Sequence, residues 1–329
     1  MERFTFIDYH QTRDFSRKVS VTFEFVSQNF KGLGKSILFI AGPPVLLASL
    51  LVGSFFKDVM GASLNAGQAS GPAAMAAIFM SPAFWLQIFL MFVFLIVSTV
   101  ATIATVYNYL ILYEEKQSNK IEVSDVWTRV RATFGMYLGT GVLFTILAIF
   151  VYIVMIIPIA ILGAISPYLV GLGLFAFFVG IVYFMVTTSM VFVIRAYEKI
   201  GFFESIARSF RLVQGKWWST FGLIVVLYVI SYLISLIFMV PRYIITLVTS
   251  LHSVGVDGIE EPGSGMQIAS LVFLTLYYLA QMVLYALPNI GIAFQYFNLV
   301  ERKEAKGLMS QIDSLGSAPA AATPADEHY

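Results

Sequence analysis

The sequence predicts an all-α, polytopic membrane protein, and three observations support this class. Only 12% of the 329 residues are charged and 59% are hydrophobic, whereas an ordinary soluble domain has about 25% charged residues. Six apolar segments are long enough for a membrane crossing, which takes about 20 residues. Basic residues are concentrated in every second connection between these segments and in the two tails. The predicted spans are 36–56, 83–113, 135–158, 167–194, 218–240 and 268–300.

The distribution of Lys and Arg predicts the orientation. Eighteen of the 20 basic residues fall in the two tails and in the loops after spans two and four, and only Lys57 and Arg242 fall on the other side. Because positive loops stay in the cytoplasm, both termini are predicted to be cytoplasmic. We therefore expect a multi-pass protein of the cytoplasmic (inner) membrane, with Trp217 and Trp218 in an interfacial aromatic belt.

A basic amphipathic segment precedes each odd-numbered span. Apolar residues recur there every three or four positions, the period of a helix with one apolar face. Such segments are typical of helices that lie in the membrane interface, with Ser124 as the predicted N-cap of the second. The three sets are Phe15, Val19, Phe23, Val26 and Phe30; Val126, Val130 and Phe134; and Phe203, Ile206, Phe210, Val213 and Trp217.

The chain also resembles itself. Thr-Phe-Gly opens span three at Thr133 and span five at Thr220, and spans two, four and six end in similar Tyr- and Glu-containing segments. One interpretation is a threefold repeat of interfacial helix, span and span, with a shorter fourth amphipathic segment at Leu308, Ile312 and Leu315. The alternative is that any hairpin with basic cytoplasmic ends acquires such exits by composition.

The predicted architecture is therefore six transmembrane helices in three hairpins, each preceded by a cytoplasmic interfacial amphipathic helix. The predicted domains are an N-terminal tail (1–11), a membrane domain (12–313) and a disordered C-terminal tail (314–329). Three proline sites are expected to kink or end helices. These sites are Pro43–Pro44, Pro158 and Pro288.

This pattern resembles the bacterial six-span proteins grouped around the membrane domain of glycerophosphoryl diester phosphodiesterases. The resemblance covers residues 12–312 and is one of pattern and topology, without a diagnostic motif. In fused members of that group, catalysis resides in a separate soluble barrel. The resemblance therefore implies a bacterial inner-membrane protein, and no hydrolase activity is expected from it.

The titratable residues form no catalytic constellation in the sequence. His10, His252 and His328 are far apart, no metal-ligand spacing occurs and the chain has no cysteine. The spans lack the central carboxylates that ion-coupled transport uses, and Arg195 lies at the end of span four, where it can snorkel. We expect a protein that is not an enzyme, with no cofactor, no metal and no nucleic-acid partner.

Two polar stripes are candidate functional faces. They predict either a cavity lined by hydroxyls and amides or hydrogen bonds between packed helices. The first stripe, in span two, is Ser98, Thr102, Thr105 and Tyr109. The second stripe, in span six, is Thr275, Tyr278, Tyr285, Asn289 and Tyr296.

Basic residues of the interfacial helices are candidate contacts with anionic lipid headgroups or a protein partner, or these helices anchor the hairpins at the right depth. The basic set is Arg129, Arg131, Arg208, Arg211 and Lys216. The acidic set in the loop before span six is either a contact with a partner or part of a solvated loop, and it consists of Asp257, Glu260 and Glu261. The preferred hypothesis is a scaffold or accessory subunit whose partners are membrane lipids and other membrane-protein subunits. The alternative is a permease or lipid-handling protein with a cavity between the hairpins.

Overall fold

The computed structural model describes residues 5–65, 71–255 and 264–305, and all the regular secondary structure within these ranges is helical. The helices are α1 (Phe15–Ile40), α2 (Gly42–Asn65), α3 (Gly71–Met80), α4 (Pro82–Lys116), α5 (Val123–Ile165), α6 (Pro167–Thr188), α7 (Val191–Glu198), α8 (Phe202–Val213), α9 (Trp217–Gly255), α10 (Ser264–Leu284) and α11 (Ala286–Glu304).

Several predictions concern residues outside these ranges. They are the fourth amphipathic segment at Leu308, Ile312 and Leu315, the acidic set Asp257, Glu260 and Glu261, His328, and the tail 314–329.

The described residues contain five helices long and apolar enough to cross a membrane, or six spans if the bent pair α1–α2 is one. Five of the six predicted spans overlap these five helices, and the first, 36–56, runs across the bend between α1 and α2. The long apolar helices confirm the predicted class of a helical, polytopic membrane protein. The five spans are Pro82–Lys116, Val123–Ile165, Pro167–Glu198, Trp217–Ile245 and Ile268–Glu304.

The proline sites affect the helices differently. The axes of α1 and α2 differ by 58° around Ala41, immediately before Gly42 and Pro43–Pro44. Proline lacks an N–H and its ring clashes with the preceding turn, so α1 cannot continue through this site. Pro288 lies in the first turn of α11, where a missing N–H is tolerated. The helix α5 instead continues past Pro158 to Ile165.

The three amphipathic segments also differ. Only the third forms a separate helix, α8, which is followed by Gly215 in a left-handed conformation (φ 81°). The first segment forms the N-terminal part of α1, and the second forms the N-terminal part of α5. The prediction of Ser124 as N-cap is wrong: Glu122 is the N-cap and forms a capping box with Asp125.

The tightly packed core lies at one end of the molecule, called here the polar end (residues 5–30, 100–137, 190–216 and 286–305). In α11 every residue from Ala286 to Val300 is buried, and the buried part of α4 runs mainly from Ser98 to Tyr113. In contrast, none of the residues 142–165 of α5 is buried. The 43 residues of α5 span about 64 Å at ~1.5 Å per residue. This length is roughly twice the ~30 Å hydrocarbon layer, so α5 extends beyond it.

The N-terminal segment before α1 is part of this core. Tyr9 is only 1% exposed, and its hydroxyl donates a hydrogen bond to the Leu110 carbonyl at 3.1 Å. The Tyr9 ring stacks on Tyr113 at 6.0 Å and meets Phe294 edge-on at 5.6 Å. Residues that the sequence assigned to a tail therefore join α4 to α11.

A close approach between α1 and α4 generates a stability prediction. A Cβ at Gly32 would lie 2.6 Å from the Tyr109 hydroxyl oxygen, which donates to Asn29 Oδ1 at 3.2 Å. We expect Gly32→Ala to lower the free energy of unfolding by about 1–2 kcal/mol, because overpacking outweighs the ~1 kcal/mol gain in helix propensity. Thermal unfolding in mild detergent measures this change.

The same helix supplies the control, since a Cβ at Gly34 would meet nothing within 4 Å. Gly34→Ala should be neutral or stabilising by up to about 1 kcal/mol. In the Tyr109→Phe background the Gly32→Ala penalty should fall by at least half, because the clashing oxygen is gone. Equal penalties in the two backgrounds would contradict the proposed contact.

Candidate binding sites

The two predicted stripes meet in part at a cavity of about 280 Å³ between α2, α4 and α10. Ser98 and Thr102 line it from one stripe, and Tyr278 and Tyr285 line it from the other. Thr275 is half-buried and does not line the cavity. The remaining polar lining residues are Ser49, Thr99 and Gln281, and the apolar ones are Val45, Ala48, Val52, Leu95 and Met282.

Local hydrogen bonds orient the polar wall of this cavity. The Ser98 hydroxyl donates to the Leu95 carbonyl at 2.9 Å, and the Thr102 hydroxyl donates to the Ser98 carbonyl at 2.8 Å. A hydroxyl that has donated its hydrogen can still accept, so both oxygens can receive an N–H or O–H from a ligand. The Gln281 side-chain amide donates to Ser235 at 2.8 Å, which fixes its orientation.

The position of the cavity along α4 indicates its depth in the membrane. Ser98 lies about 24 Å along the helix from Pro82, where α4 begins. The buried, polar-end part of α4 begins at the same place. If α4 enters a hydrocarbon layer roughly 30 Å thick at Pro82, this level of the helix is near the layer's boundary at the polar end.

Other stripe residues pack the helices together. Thr105 and Tyr109 are fully buried, and Tyr109 bonds Asn29 of α1. Asn289 is also buried, and its Oδ1 accepts a hydrogen bond from the Tyr107 hydroxyl at 3.4 Å. Both sequence interpretations therefore apply, each to a different part of the stripes.

A second pocket, of about 450 Å³, lies at the polar end and is lined by Tyr296, the last residue of the second stripe. The N-terminal segment contributes His10, α7 contributes Tyr197 and Glu198, and α11 contributes Phe297. The lining is completed by Ile200 and Val300. Sequence reasoning did not bring His10 and Tyr197 together, because only tertiary packing places them side by side. The Tyr-Glu exit of span four was the one available signal.

Ion pairs engage Arg208, which contacts the lining residue Glu198. Both Glu198 carboxylate oxygens accept from Arg208 Nε at 3.1 Å, and Oε1 also accepts from the Tyr296 hydroxyl at 2.9 Å. Arg208 also pairs with Glu304. The hydrogen bonds that Arg208 donates, first to Glu304 and then to Glu198, hold the pKa of Arg208 above its ordinary value. The Arg208 charge is therefore directed at partners within the chain.

The other basic candidates fall into two groups, one paired within the chain and one exposed. Arg129 forms a bidentate pair with Glu115 at 2.7 and 2.8 Å, which engages its guanidinium. Arg131, Arg211 and Lys216 are exposed. These three exposed residues are the ones whose side chains are placed to reach lipid headgroups or a partner.

His10 joins the pocket to the end of α4. Its Nε2 lies 3.4 Å from Glu114 Oε1. The hydrogen bond to Glu114 raises the pKa of His10, against the opposing effect of desolvation, and Asp8 and Glu301 raise it further. Both side chains of the pair are about one-third exposed (38% and 31%), so solvent screening keeps the energy small.

This contact predicts a pH-dependent stability. A pKa raised in the folded state gives stabilisation that is fully present below the unfolded value, about 6.5, and is lost as pH rises through the folded value. We expect His10→Gln to destabilise the protein by less than about 1 kcal/mol at pH 5.5 and not at pH 9. Unfolding midpoints at the two pH values measure this difference.

The control for this pH dependence is a carboxylate whose ion-pair partner is an arginine and not a histidine. Glu24 pairs with Arg17 at 3.3 Å, so Glu24→Gln should have the same effect at pH 5.5 and pH 9. An effect of His10→Gln that does not change with pH would contradict the proposed pair.

Comparisons with known proteins give a family. No curated protein and no solved structure matches the chain. The domain of unknown function DUF8558 matches residues 69–288, about two thirds of the sequence. The match covers the cavity-lining parts of α4 and α10, including Ser98, Thr102, Tyr278 and Tyr285. The chain is therefore a member of the DUF8558 family.

Proposed function

We propose that this integral membrane protein handles lipids, and that it binds the polar head of an amphipathic molecule in the cavity between α2, α4 and α10. One observation carries the proposal: the cavity combines the hydroxyls of Ser98 and Thr102 and the Gln281 amide with an apolar wall that includes Val45 and Leu95. A site of this kind at the edge of the hydrocarbon layer matches a molecule with a polar head and an apolar tail.

The chemistry of the lining favours an uncharged head. The residues that line the cavity are neutral at pH 7. Hydroxyls and an amide satisfy the hydrogen bonds of a glycerol or similar group, whereas coupling ions are usually bound by buried carboxylates. At about 280 Å³ the cavity accommodates a head group rather than a whole lipid. The acyl chains would lie outside, along the exposed apolar surface of the helices.

Two threonines one turn apart provide a matched test of this site. Thr102 lines the cavity, whereas Thr105 does not, and each donates to the carbonyl four residues earlier. We expect native mass spectrometry of the full chain in mild detergent to detect bound dioleoylglycerol. Thr102→Val should weaken binding about fivefold, the effect of one hydrogen bond of ~1 kcal/mol, and Thr105→Val should not.

A cavity-filling variant tests the volume itself. Ala48 is buried and lines the cavity, so Ala48→Leu should remove bound dioleoylglycerol while the protein remains folded by thermal unfolding. Equal weakening in the two threonine variants, or undiminished binding to Ala48→Leu, would count against the proposal.

A second candidate is the scaffold or accessory subunit, and the α5–α6 hairpin favours it. Tyr152, Ile153 and Val154 are all exposed, and three consecutive residues cover about 200° of a helix circumference. A hairpin open on so many sides can receive helices of another subunit as well as lipid. In the same mass spectra a bound membrane-protein subunit supports this candidate, and a monomer throughout contradicts it.

We further infer that the polar end faces the cytoplasm of a bacterial inner membrane. The excess of basic residues at that end supports this orientation. The resemblance to the six-span proteins related to glycerophosphoryl diester phosphodiesterase membrane domains stays a prediction in agreement with it.

The absence of cysteine from the sequence makes this orientation simple to test. Gln214 is exposed between α8 and α9, and Tyr168 is 94% exposed at the opposite end of α6. In spheroplasts, a membrane-impermeant maleimide should label Tyr168→Cys and should label Gln214→Cys only after permeabilisation. The reverse pattern would invert the orientation.

A further inference from the structure

We propose that the pocket at the polar end is a second binding site, for an organic ammonium ion. A protonated amine in this pocket would donate N–H bonds to the Tyr197 hydroxyl and the Glu198 carboxylate and would lie against the rings of α7 and α11. This site does not depend on the proposed lipid cavity, because the two share no lining residue.

The hydroxyl of Tyr197 is the first observation. It is buried and, among the described residues, has no hydrogen-bond partner, although Tyr197 lines the pocket. Leaving a buried hydroxyl unsatisfied costs about 1–3 kcal/mol. A tyrosine hydroxyl can accept as well as donate, so a ligand N–H bonded to its oxygen offsets part of this cost, whereas an apolar ligand offsets none of it.

The aromatic lining is the second observation. Phe297 lies at the centre of a cluster of rings. The distances from its ring centroid to those of Tyr197, Tyr296 and His10 are 4.9, 5.1 and 5.2 Å, and the corresponding interplanar angles are 87°, 63° and 73°. Because the rings are steeply inclined, the cluster combines ring faces with ring edges. The negative face of an aromatic ring attracts a cation, most strongly where water is excluded.

The charge balance is the third observation and selects a cation over an anion. Glu198 lies in the pocket, and Glu114 contacts His10, which also lines it. Arg208 forms ion pairs with both Glu198 and Glu304, so one guanidinium is shared by two carboxylates. The Glu198 carboxylate in the lining attracts a cation and repels an anion.

The ammonium group could belong to a soluble amine or to the head group of an aminated lipid. Both share the chemistry that the pocket recognises. The experiment therefore uses a soluble probe, benzylamine, and its uncharged counterpart, benzyl alcohol, and compares two lipid environments.

Titration calorimetry of the full chain in mild detergent at pH 8 tests the site. We expect benzylamine to bind with a dissociation constant of about 1–10 mM, typical of a small fragment, and benzyl alcohol to bind at least tenfold more weakly. Tyr197→Phe should weaken benzylamine binding about fivefold. Glu198→Gln should weaken it about tenfold or more.

The chain offers a matched control for each variant. Tyr137 is the control for Tyr197. Its hydroxyl is also buried and without a hydrogen-bond partner among the described residues, but Tyr137 does not line the pocket. Glu115 pairs with Arg129 away from it. Tyr137→Phe and Glu115→Gln should both bind benzylamine like the unmodified protein.

Benzylamine binding to the protein in bilayer nanodiscs distinguishes the two sources of the amine. Weaker benzylamine binding in phosphatidylethanolamine discs than in phosphatidylcholine discs, which have the same net charge but no N–H donor, identifies a lipid head group as competitor. Equal binding identifies soluble amines as the ligand class. The proposal is overturned if benzylamine fails to bind in detergent, if benzyl alcohol binds equally well, or if Tyr197→Phe and Tyr137→Phe behave alike. None of these outcomes bears on dioleoylglycerol binding in the other cavity.

Discussion

The ammonium group of Lys18 is buried among neutral acceptors, and this contact holds three helices of the polar end together. Lys18 is 2% exposed, and its Nζ donates to Gln295 Oε1 at 2.7 Å and to Ser219 Oγ at 2.8 Å. The Gln295 amide in turn donates to Thr220 at 2.9 Å. Burying a charge is costly unless its hydrogen bonds are satisfied. This requirement fixes α1, α9 and α11 relative to one another, and α11 carries the wall of the ammonium pocket.

The break between α10 and α11 connects the two sites. Proline cannot donate to the carbonyl four residues before it, so Pro288 leaves the Leu284 carbonyl without its usual helical donor. The Ser231 hydroxyl of α9 donates to that carbonyl at 3.3 Å, and the Asn289 side chain donates to the Tyr285 carbonyl at 2.7 Å. The broken helix is therefore stabilised by side chains. Residues before the break line the cavity, and residues after it line the pocket.

Much of this arrangement follows from the sequence, and the remainder depends on packing between distant segments. Composition and periodicity predict the spans, because lipid imposes a length and an apolar surface on each helix. They also place Thr102 and Thr105 on one stripe. Only the packing of the helices decides that Thr102 lines a cavity whereas Thr105 is fully buried. His10 and Tyr197 meet through the folding of the N-terminal segment over α4 and α11, a long-range contact with no local sequence pattern.

The extent of the family match separates the two proposed sites. Residues 69–288 include the cavity-lining parts of α4 and α10, such as Thr102 and Gln281, but not the wall formed by α2. Of the pocket, the match includes Tyr197 and Glu198 but not His10, Tyr296 or Phe297. The polar wall of the cavity thus belongs to the part of the chain that defines the family. Except for Tyr197, the aromatic wall of the pocket lies outside that part. Lipid binding is therefore the activity to test across the family, and amine binding is the one to test first in this chain.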